Sequence, residues 1–147
     1  MAVCLRNIPE SAGIFVSTDR EERRAGLEAF FAAQGFAERT VVRVFPNAGW
    51  DIAPFLVGFA DVIPGYDLLL RLHSKRSTFI PGNIGDAWRS MLYAALAGSG
   101  ERVNAILRAF AEDESLGLVC PPNLAHYADS ITIGTNFAMM RDLLAPP

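Results

Sequence analysis

The strongest chemical signal in the 147-residue sequence is a short run of cations and hydroxyls that follows an apolar stretch. The run consists of His73, Ser74, Lys75, Arg76 and Ser77. Lysine offers a compact point charge, arginine offers a planar fork of donors, and a histidine beside a phosphate is favoured in its protonated form. The run therefore predicts an anion site, with phosphate as the leading candidate. A solvated loop with two surface cations is an equally weighted alternative.

A second polar cluster has the pattern Asn47-x-Gly49-x-Asp51. Glycine permits a turn that other residues resist, and asparagine can bond to the backbone of its own loop. An aspartate at the start of a helix can cap that helix and can also accept a hydrogen bond from a sugar hydroxyl. The cluster predicts a second part of a ligand site, and a plain loop that ends in a helix cap explains it equally well.

Three further residues are secondary candidates. Asp86 is predicted to cap a helix, Arg89 could reach an anion held by the basic run, and Asn136 lies near the start of the last predicted helix. Structural roles explain all three at least as well. The phosphate-loop, nucleophile-elbow, zinc-protease and dinucleotide motifs are absent from the sequence, so no catalytic residue is recognisable.

Apolar periodicity and turn residues divide the chain into strands and helices. Strands are predicted at residues 13–18, 40–45, 67–72, 116–119 and 131–133, and helices at residues 19–34, 52–59, 86–96, 101–112 and 135–144. The first helix is predicted to be capped by Asp19 or Thr18 and to end at Gly35. Its apolar stripe is predicted to consist of Leu27, Phe30 and Phe31.

The order of strand, helix and strand predicts a parallel sheet. Residues 67–72 are short, mostly apolar and followed by polar residues, so they are expected to form a central strand buried on both faces. In open sheets of this kind, ligands bind just outside the carboxyl ends of the strands. Both polar clusters follow predicted strands and are therefore expected at the same edge of an α/β fold with a mostly parallel central sheet flanked by helices.

Composition limits the possible classes of protein. A chain of 147 residues with 51% hydrophobic residues is expected to form one domain over residues 1–147. A net charge of −3 argues against a general nucleic-acid-binding protein. Cys4 and Cys120 lack the spacing of a disulfide framework or a zinc site, and neither a signal peptide nor a membrane-spanning run is recognisable. A cytoplasmic protein is expected, with contact at a membrane surface left open.

With both clusters in view, the sequence resembles the rhamnan synthesis protein F family of polysaccharide-assembly glycosyltransferases. Residues 47–54 (NAGWDIAP) are similar to that family's asparagine-x-glycine-arginine-aspartate-isoleucine-alanine-proline box. Residues 70–77 (LRLHSKRS) are similar to its lysine-isoleucine-histidine-threonine-lysine-lysine-serine box. Residues 85–89 (GDAWR) and 116–122 (LGLVCPP) continue the match in the same order.

The resemblance implies a three-layer domain of the GT-A type, whose nucleotide-binding half is similar to a Rossmann fold. It implies a nucleotide-diphosphate sugar donor, of deoxyhexose type such as rhamnose, and a glycan or lipid-linked glycan acceptor at the inner face of the membrane. Where that fold class usually has a metal-holding Asp-x-Asp motif, this chain has His73, Ser74 and Lys75. The resemblance therefore implies a metal-independent site without a cofactor, in which fixed cations neutralise the diphosphate. Asn47 and Asp51 would line the donor pocket, and His73, Lys75 and Arg76 would face the diphosphate.

Two departures from the family pattern keep other functions open. Trp50 stands where the family box usually has a basic residue, and the given sequence stops at Pro147, soon after the region where such folds begin to build their acceptor site. No general base is recognisable in the sequence. The chain could be a minimal domain or a fragment of a longer enzyme. The main alternative is a non-catalytic domain that binds a nucleotide sugar or carbohydrate, or acts as a scaffold, and retains the fold. A hydrolase or kinase for phosphorylated sugars is disfavoured because the sequence has no recognisable nucleophile or phosphate loop.

Overall fold

The computed structural model describes residues 2–49, 52–73 and 84–121. The chain divides into two compact units, Met1–Gly117 and Leu118–Pro147, and the described helices and strands all lie in the first. They are α1 (Ala2–Leu5), β1 (Ile14–Thr18), α2 (Glu21–Ala33), β2 (Thr40–Val44), α3 (Ile52–Leu56), α4 (Ile84–Ala97) and α5 (Gly100–Glu112), with single 3-10 turns at Ala37–Arg39 and Ile63–Gly65. A single domain over the whole chain stays a prediction.

The first strand, helix and second strand form the predicted parallel unit. β1 pairs with β2 in parallel, with Ile14 opposite Thr40 and Thr18 opposite Val44. The ladder continues beyond β2, since the backbone N–H of Phe45 donates to the carbonyl of Thr18 over 2.7 Å. The carboxyl ends of the two strands therefore lie side by side, which is the edge where the sequence predicts a ligand.

The carboxyl end of α2 is fixed by a Schellman motif, in which the two residues after the helix bond back to its last turn. Gly35 has φ of +81° and donates its N–H to the carbonyl of Ala32 over 3.0 Å, while Phe36 donates to Phe31 over 2.9 Å. The rings of Phe31 and Phe36 then join Leu5 and Ile14 in one buried cluster. Gly35 ends the helix as predicted, and the motif aims the chain toward β2.

The predicted cap of α2 is wrong. The residue that precedes the helix is Arg20, and no side chain caps the helix there. Asp19 lies one residue too early to cap, and its carboxylate instead accepts a hydrogen bond from the Arg23 guanidinium over 2.9 Å. The Asp19 carboxylate, which was predicted to accept from the backbone N–H groups at the start of α2, is therefore used in an ion pair with the Arg23 side chain.

The last two described helices form a hairpin around a second small core. Ser99 caps α5, since its hydroxyl accepts from the backbone N–H of Arg102 over 3.2 Å. Ala97 at the end of α4 and Val103 in α5 are buried together with Cys4 of α1. Both helices therefore lie where the sequence predicts them, and α1 closes the hairpin.

Two predicted strands are wrong. Residues 67–72 have no regular secondary structure, and Leu68, Leu69 and Leu70 are 44–49% exposed instead of buried. Residues 116–119 are also irregular, and Leu118 is 76% exposed. A strand needs a neighbouring backbone to pair with, and in the described part of the chain β1 and β2 pair only with each other.

The described structure therefore contains helices and a small two-stranded parallel sheet, consistent with an α/β fold. The three-layer architecture stays a prediction. The predicted strand at residues 131–133 and the predicted helix at residues 135–144 lie outside the described residues.

Arg39 ties the amino-terminal segment to the start of β2. Its guanidinium lies 4.9 Å from the ring centroid of Phe36 and donates hydrogen bonds to four backbone carbonyls. The acceptors are Pro9 at 2.7 Å, Ala12 at 3.2 Å, and Leu5 and Glu10, both at 3.4 Å. No carboxylate takes part in these contacts, so the arginine acts as a clasp for peptide groups.

We expect Arg39→Ala to lower the free energy of unfolding by about 2 kcal/mol, because hydrogen bonds from a charged donor are each worth about 1.5–3 kcal/mol and these are partly exposed to water. Urea denaturation followed by circular dichroism measures the loss. Arg39→Lys should recover little of it, since one ammonium cannot reach several carbonyls at once. Arg6→Ala, which removes a single exposed bond to the Gln34 side chain, is the matched control with a smaller effect. Full recovery by lysine would contradict the clasp.

Candidate functional site

The loop that follows β2 begins at the carboxyl edge of the sheet and turns sharply at Gly49. Its backbone folds back on itself, with the N–H of Ala48 donating to the carbonyl of Pro46 over 2.7 Å. Gly49 has φ of +68°, and its carbonyl accepts from the N–H of Ala53 in α3 over 3.1 Å. Asn47 is exposed at this turn. The loop thus has the glycine-dependent conformation that the sequence predicts, and it is bonded directly to the next helix.

A salt bridge holds the segment after α3 against β2. The two terminal nitrogens of the Arg43 guanidinium donate to the two carboxylate oxygens of Asp61 over 2.6 and 2.9 Å, and one of them also donates to the carbonyl of Gly58 over 3.0 Å. The guanidinium also lies 5.2 Å from the ring centroid of Phe59. The hydrogen bonds raise the pKa of Arg43 and lower the pKa of Asp61, so both groups are charged at neutral pH.

Aromatic contacts then bring residues 66–73 toward the same region. Phe15 of β1 makes edge-on contacts with Phe59 and Tyr66, each with ring centroids 5.7 Å apart. Farther along, the Arg71 guanidinium lies 5.5 Å from the ring centroid of Phe55 in α3. Only Leu72 separates Arg71 from the basic run, and α3 directly follows the loop of Asn47 and Gly49. The structure therefore brings the segments next to the two polar clusters into contact.

His73 is the one residue of the run at 73–77 that the structure describes, and α4 holds it through its backbone. The hydroxyl of Tyr93 donates to the His73 carbonyl over 2.7 Å, while His73 itself is exposed. Partial burial raises the pKa of the Tyr93 phenol, so the hydroxyl keeps its proton and remains a donor through neutral pH. The imidazole of His73 takes no part in this bond.

Asp86 and Arg89 both lie in the first turns of α4, so the prediction that Asp86 precedes and caps this helix is wrong. The helix begins two residues earlier, at Ile84, which places the aspartate inside the first turn. Its carboxylate accepts from the Arg89 guanidinium over 2.9 Å. The two secondary candidates are thus paired with each other. The remaining predicted site residues, Asp51, Ser74, Lys75, Arg76 and Asn136, lie outside the described residues.

The carboxyl end of β1 is flanked by an open depression lined by the charged residues 19–23. Asp19 pairs there with Arg20 at 3.8 Å and with Arg23 at 2.9 Å, and nearby Arg24 pairs with Glu21 and Glu28. Among the described residues, most of the charged side chains of this helix turn, with Glu22 the exception, are thus paired with each other at the surface. This arrangement agrees with a solvated first turn and indicates no ligand.

Two features are absent from the part of the chain that the structure describes, namely a metal-binding cluster and a membrane-spanning helix. Within residues 2–49, 52–73 and 84–121, no group of three histidine, cysteine, aspartate or glutamate side chains is placed to hold a metal ion. In the same part of the chain, no helix has both the length and the apolar character needed to cross a bilayer.

The sequence did not identify the side chains whose long-range contacts join the segments of the candidate site. Arg43, Asp61, Arg71 and Tyr93 were not selected because their partners lie 15 to 20 residues away along the chain. One signal was available for Tyr93, since a tyrosine on the apolar face of a helix usually finds a partner for its hydroxyl. No local pattern identifies that partner as the backbone of His73.

Two curated relatives are similar to part of this chain. Both are described as uncharacterized protein WxcX and come from two strains of Xanthomonas campestris pv. campestris. Each is 42% identical over 81 residues, which is 54% of this chain and 11% of the relative. The chain therefore spans about a ninth of the length of these relatives. No solved structure matches it.

The family comparison covers far more of the sequence. The model of the family described as rhamnan synthesis protein F matches residues 1–144, which is almost the whole chain. The match includes both polar clusters, β1, β2 and all the described helices. The chain belongs to the rhamnan synthesis protein F family.

Proposed function

We propose that this chain is a glycosyltransferase-like domain that binds a nucleotide-diphosphate sugar and serves the synthesis of a cell-surface polysaccharide or lipopolysaccharide. The contact of Arg71 with Phe55 is the observation that carries the proposal. It joins the segment just before the basic run to the helix just after the loop of Asn47 and Gly49. Two clusters that are 26 residues apart in sequence, taken from Asn47 to His73, can then act on one ligand.

The chemistry of the two clusters suits the two ends of such a donor. A diphosphate needs positive charge and hydrogen-bond donors, which His73, Ser74, Lys75 and Arg76 supply. Sugar hydroxyls need acceptors as well as donors, which Asn47 and Asp51 supply. Fixed cations would take the place of a divalent ion in neutralising the diphosphate, so we propose binding that does not depend on a metal.

The family description favours a donor of the deoxyhexose type, such as an activated rhamnose. The acceptor would be a glycan or lipid-linked glycan, with the domain working at the inner face of the membrane. The proposal covers the binding of the donor. It assigns acceptor activation to no residue of this chain.

The first test is the binding of diphosphates to the intact chain. Inorganic pyrophosphate and the diphosphates UDP, GDP and dTDP would be screened by thermal shift and calorimetry, in EDTA and in Mg²⁺, because a ligand of the folded state raises its stability. We expect binding in both conditions. Lys75→Ala and Arg76→Ala should each weaken it by about 10- to 150-fold, since one charged hydrogen bond is worth about 1.5–3 kcal/mol.

Arg108→Ala, an equal change of charge at an exposed position of α5, is the matched control and should leave the affinity unchanged. Unchanged affinity in both Lys75→Ala and Arg76→Ala would overturn the diphosphate site. Binding of a nucleotide sugar with neither transfer nor slow hydrolysis, with and without metal, would favour the alternative of a non-catalytic binding domain.

A further inference from the structure

We infer that Tyr93 is a positioning residue for the proposed donor site, because its hydroxyl fixes the backbone at the point where the basic run begins. This inference rests on the proposed function. Tyr93 lies 20 residues beyond His73 in sequence and on a different element, α4. Its hydroxyl donates a hydrogen bond of 2.7 Å to the carbonyl of His73, the first residue of the run.

Packing contacts hold the ring of Tyr93 in place independently of the hydrogen bond that its hydroxyl makes. It packs against the buried cluster of Cys4, Ala97 and Val103, which joins α1, α4 and α5. The carbonyl of Ala97 also accepts from the Asn7 side chain over 2.8 Å, which ties the end of α4 to the segment after α1. A phenol mounted on such a cluster presents its donor in one place, and this is what a positioning residue requires.

The segment that Tyr93 holds has no regular structure of its own. Residues 67–73 form neither helix nor strand, so no ladder of backbone hydrogen bonds fixes them. Contacts from two different helices act on this segment instead. Arg71 lies over Phe55 of α3, and the His73 carbonyl accepts from Tyr93 of α4.

The bond to a carbonyl has a consequence for the proposed ligand. Because Tyr93 uses the main chain of His73, the imidazole nitrogens stay available to a phosphate. The chain passes from His73 directly into Ser74, Lys75 and Arg76, so the anchored carbonyl sets the starting point of the run. Without the hydrogen bond from Tyr93, the segment would have to become ordered when the ligand binds. The conformational entropy lost in that step would weaken the affinity.

The test is Tyr93→Phe in the intact chain, which removes the hydroxyl and keeps the ring in its cluster. We expect the affinity for inorganic pyrophosphate, measured by calorimetry, to fall about 3- to 10-fold, the range that corresponds to one neutral hydrogen bond. Amide hydrogen exchange of a peptide covering residues 68–73 should become faster in the free protein. Arg108→Ala, the exposed control on α5, should leave the affinity unchanged.

A double variant separates positioning from general stability. If Tyr93 acts through the basic run, then Tyr93→Phe and Lys75→Ala together should weaken pyrophosphate binding by less than the product of their separate effects. Effects that multiply fully, or a Tyr93→Phe protein that binds as the wild type does, would overturn the inference. Wild-type protein that binds none of the diphosphates would overturn the proposed function itself, and the donor-site role of Tyr93 with it.

Discussion

Replacing Phe31 by alanine is expected to lower the free energy of unfolding by about 3–5 kcal/mol, the usual cost of truncating a buried phenylalanine. The ring is 4% exposed and packs with Leu5, Ile14 and Phe36, so it joins α2 to β1 and to the amino-terminal segment. Its removal leaves a cavity where these elements meet. Since whole domains are stable by only about 5–15 kcal/mol, the variant should be close to unfolding at room temperature. Urea denaturation followed by circular dichroism measures the loss.

The neighbouring residue provides a matched control. Phe30 has the same side chain on the same helix but is 46% exposed, and its ring meets that of Phe31 edge-on with centroids 5.4 Å apart. Phe30→Ala should therefore lose only the aromatic contact and some partial burial, about 1 kcal/mol. Equal losses in the two variants would contradict the packing described here.

Phe30 and Phe31 also show which features of the fold can be predicted from the sequence and which cannot. Periodicity predicts a helix with Leu27, Phe30 and Phe31 on its apolar side, and the helix forms. Which of the two rings becomes buried depends on how α2 lies on the sheet. The exit of the chain at Gly35 decides this, by turning Phe36 back onto Phe31. The local pattern correctly predicted the helix and its apolar side. Which phenylalanine is buried could not be predicted without knowing how the helix packs in the folded protein.

The predicted strand at residues 67–72 shows a different limit. A short apolar run is typical of a strand buried in a parallel sheet, but a strand exists only where another strand pairs with it. The sequence contains the apolar run and holds no information on the neighbour. In the described residues, β1 and β2 pair with each other, and Leu68 to Leu70 are about half-exposed. The apolar run is present in the sequence, but the prediction that it pairs as a buried strand is wrong.

In the candidate site, too, features with a local cause were predictable from the sequence and long-range contacts were not. The turn at Gly49 was predictable because its cause is local, namely a backbone conformation that favours glycine. The contacts of Arg71 with Phe55 and of Tyr93 with His73 were not predictable, since each joins elements that are 16 or 20 residues apart. These long-range contacts hold the backbone beside the polar residues that the sequence had indicated.

Gly49→Ala is expected to destabilise the protein by about 2–5 kcal/mol, the sum of a left-handed conformation imposed on alanine and an overpacked contact. Its φ of +68° disfavours any residue with a Cβ. A Cβ at this position would also clash with the Cβ of Ala53, in the first turn of α3. The loop could relieve the clash only by moving away from α3, which would break the bond between Ala53 and the Gly49 carbonyl. Denaturation in urea gives the loss of stability.

Two further variants separate the causes of this loss. Gly35 has φ of +81° but open space around it, so Gly35→Ala should show the backbone effect alone, about 1–2 kcal/mol. Adding Ala53→Gly to Gly49→Ala removes the clash and should make the double variant more stable than the sum of the two single effects predicts. If Gly49→Ala cost no more than Gly35→Ala, then α3 would not constrain the loop. The loop that presents Asn47 would then owe its shape to its own backbone alone, and not to the helix that brings Phe55 to Arg71.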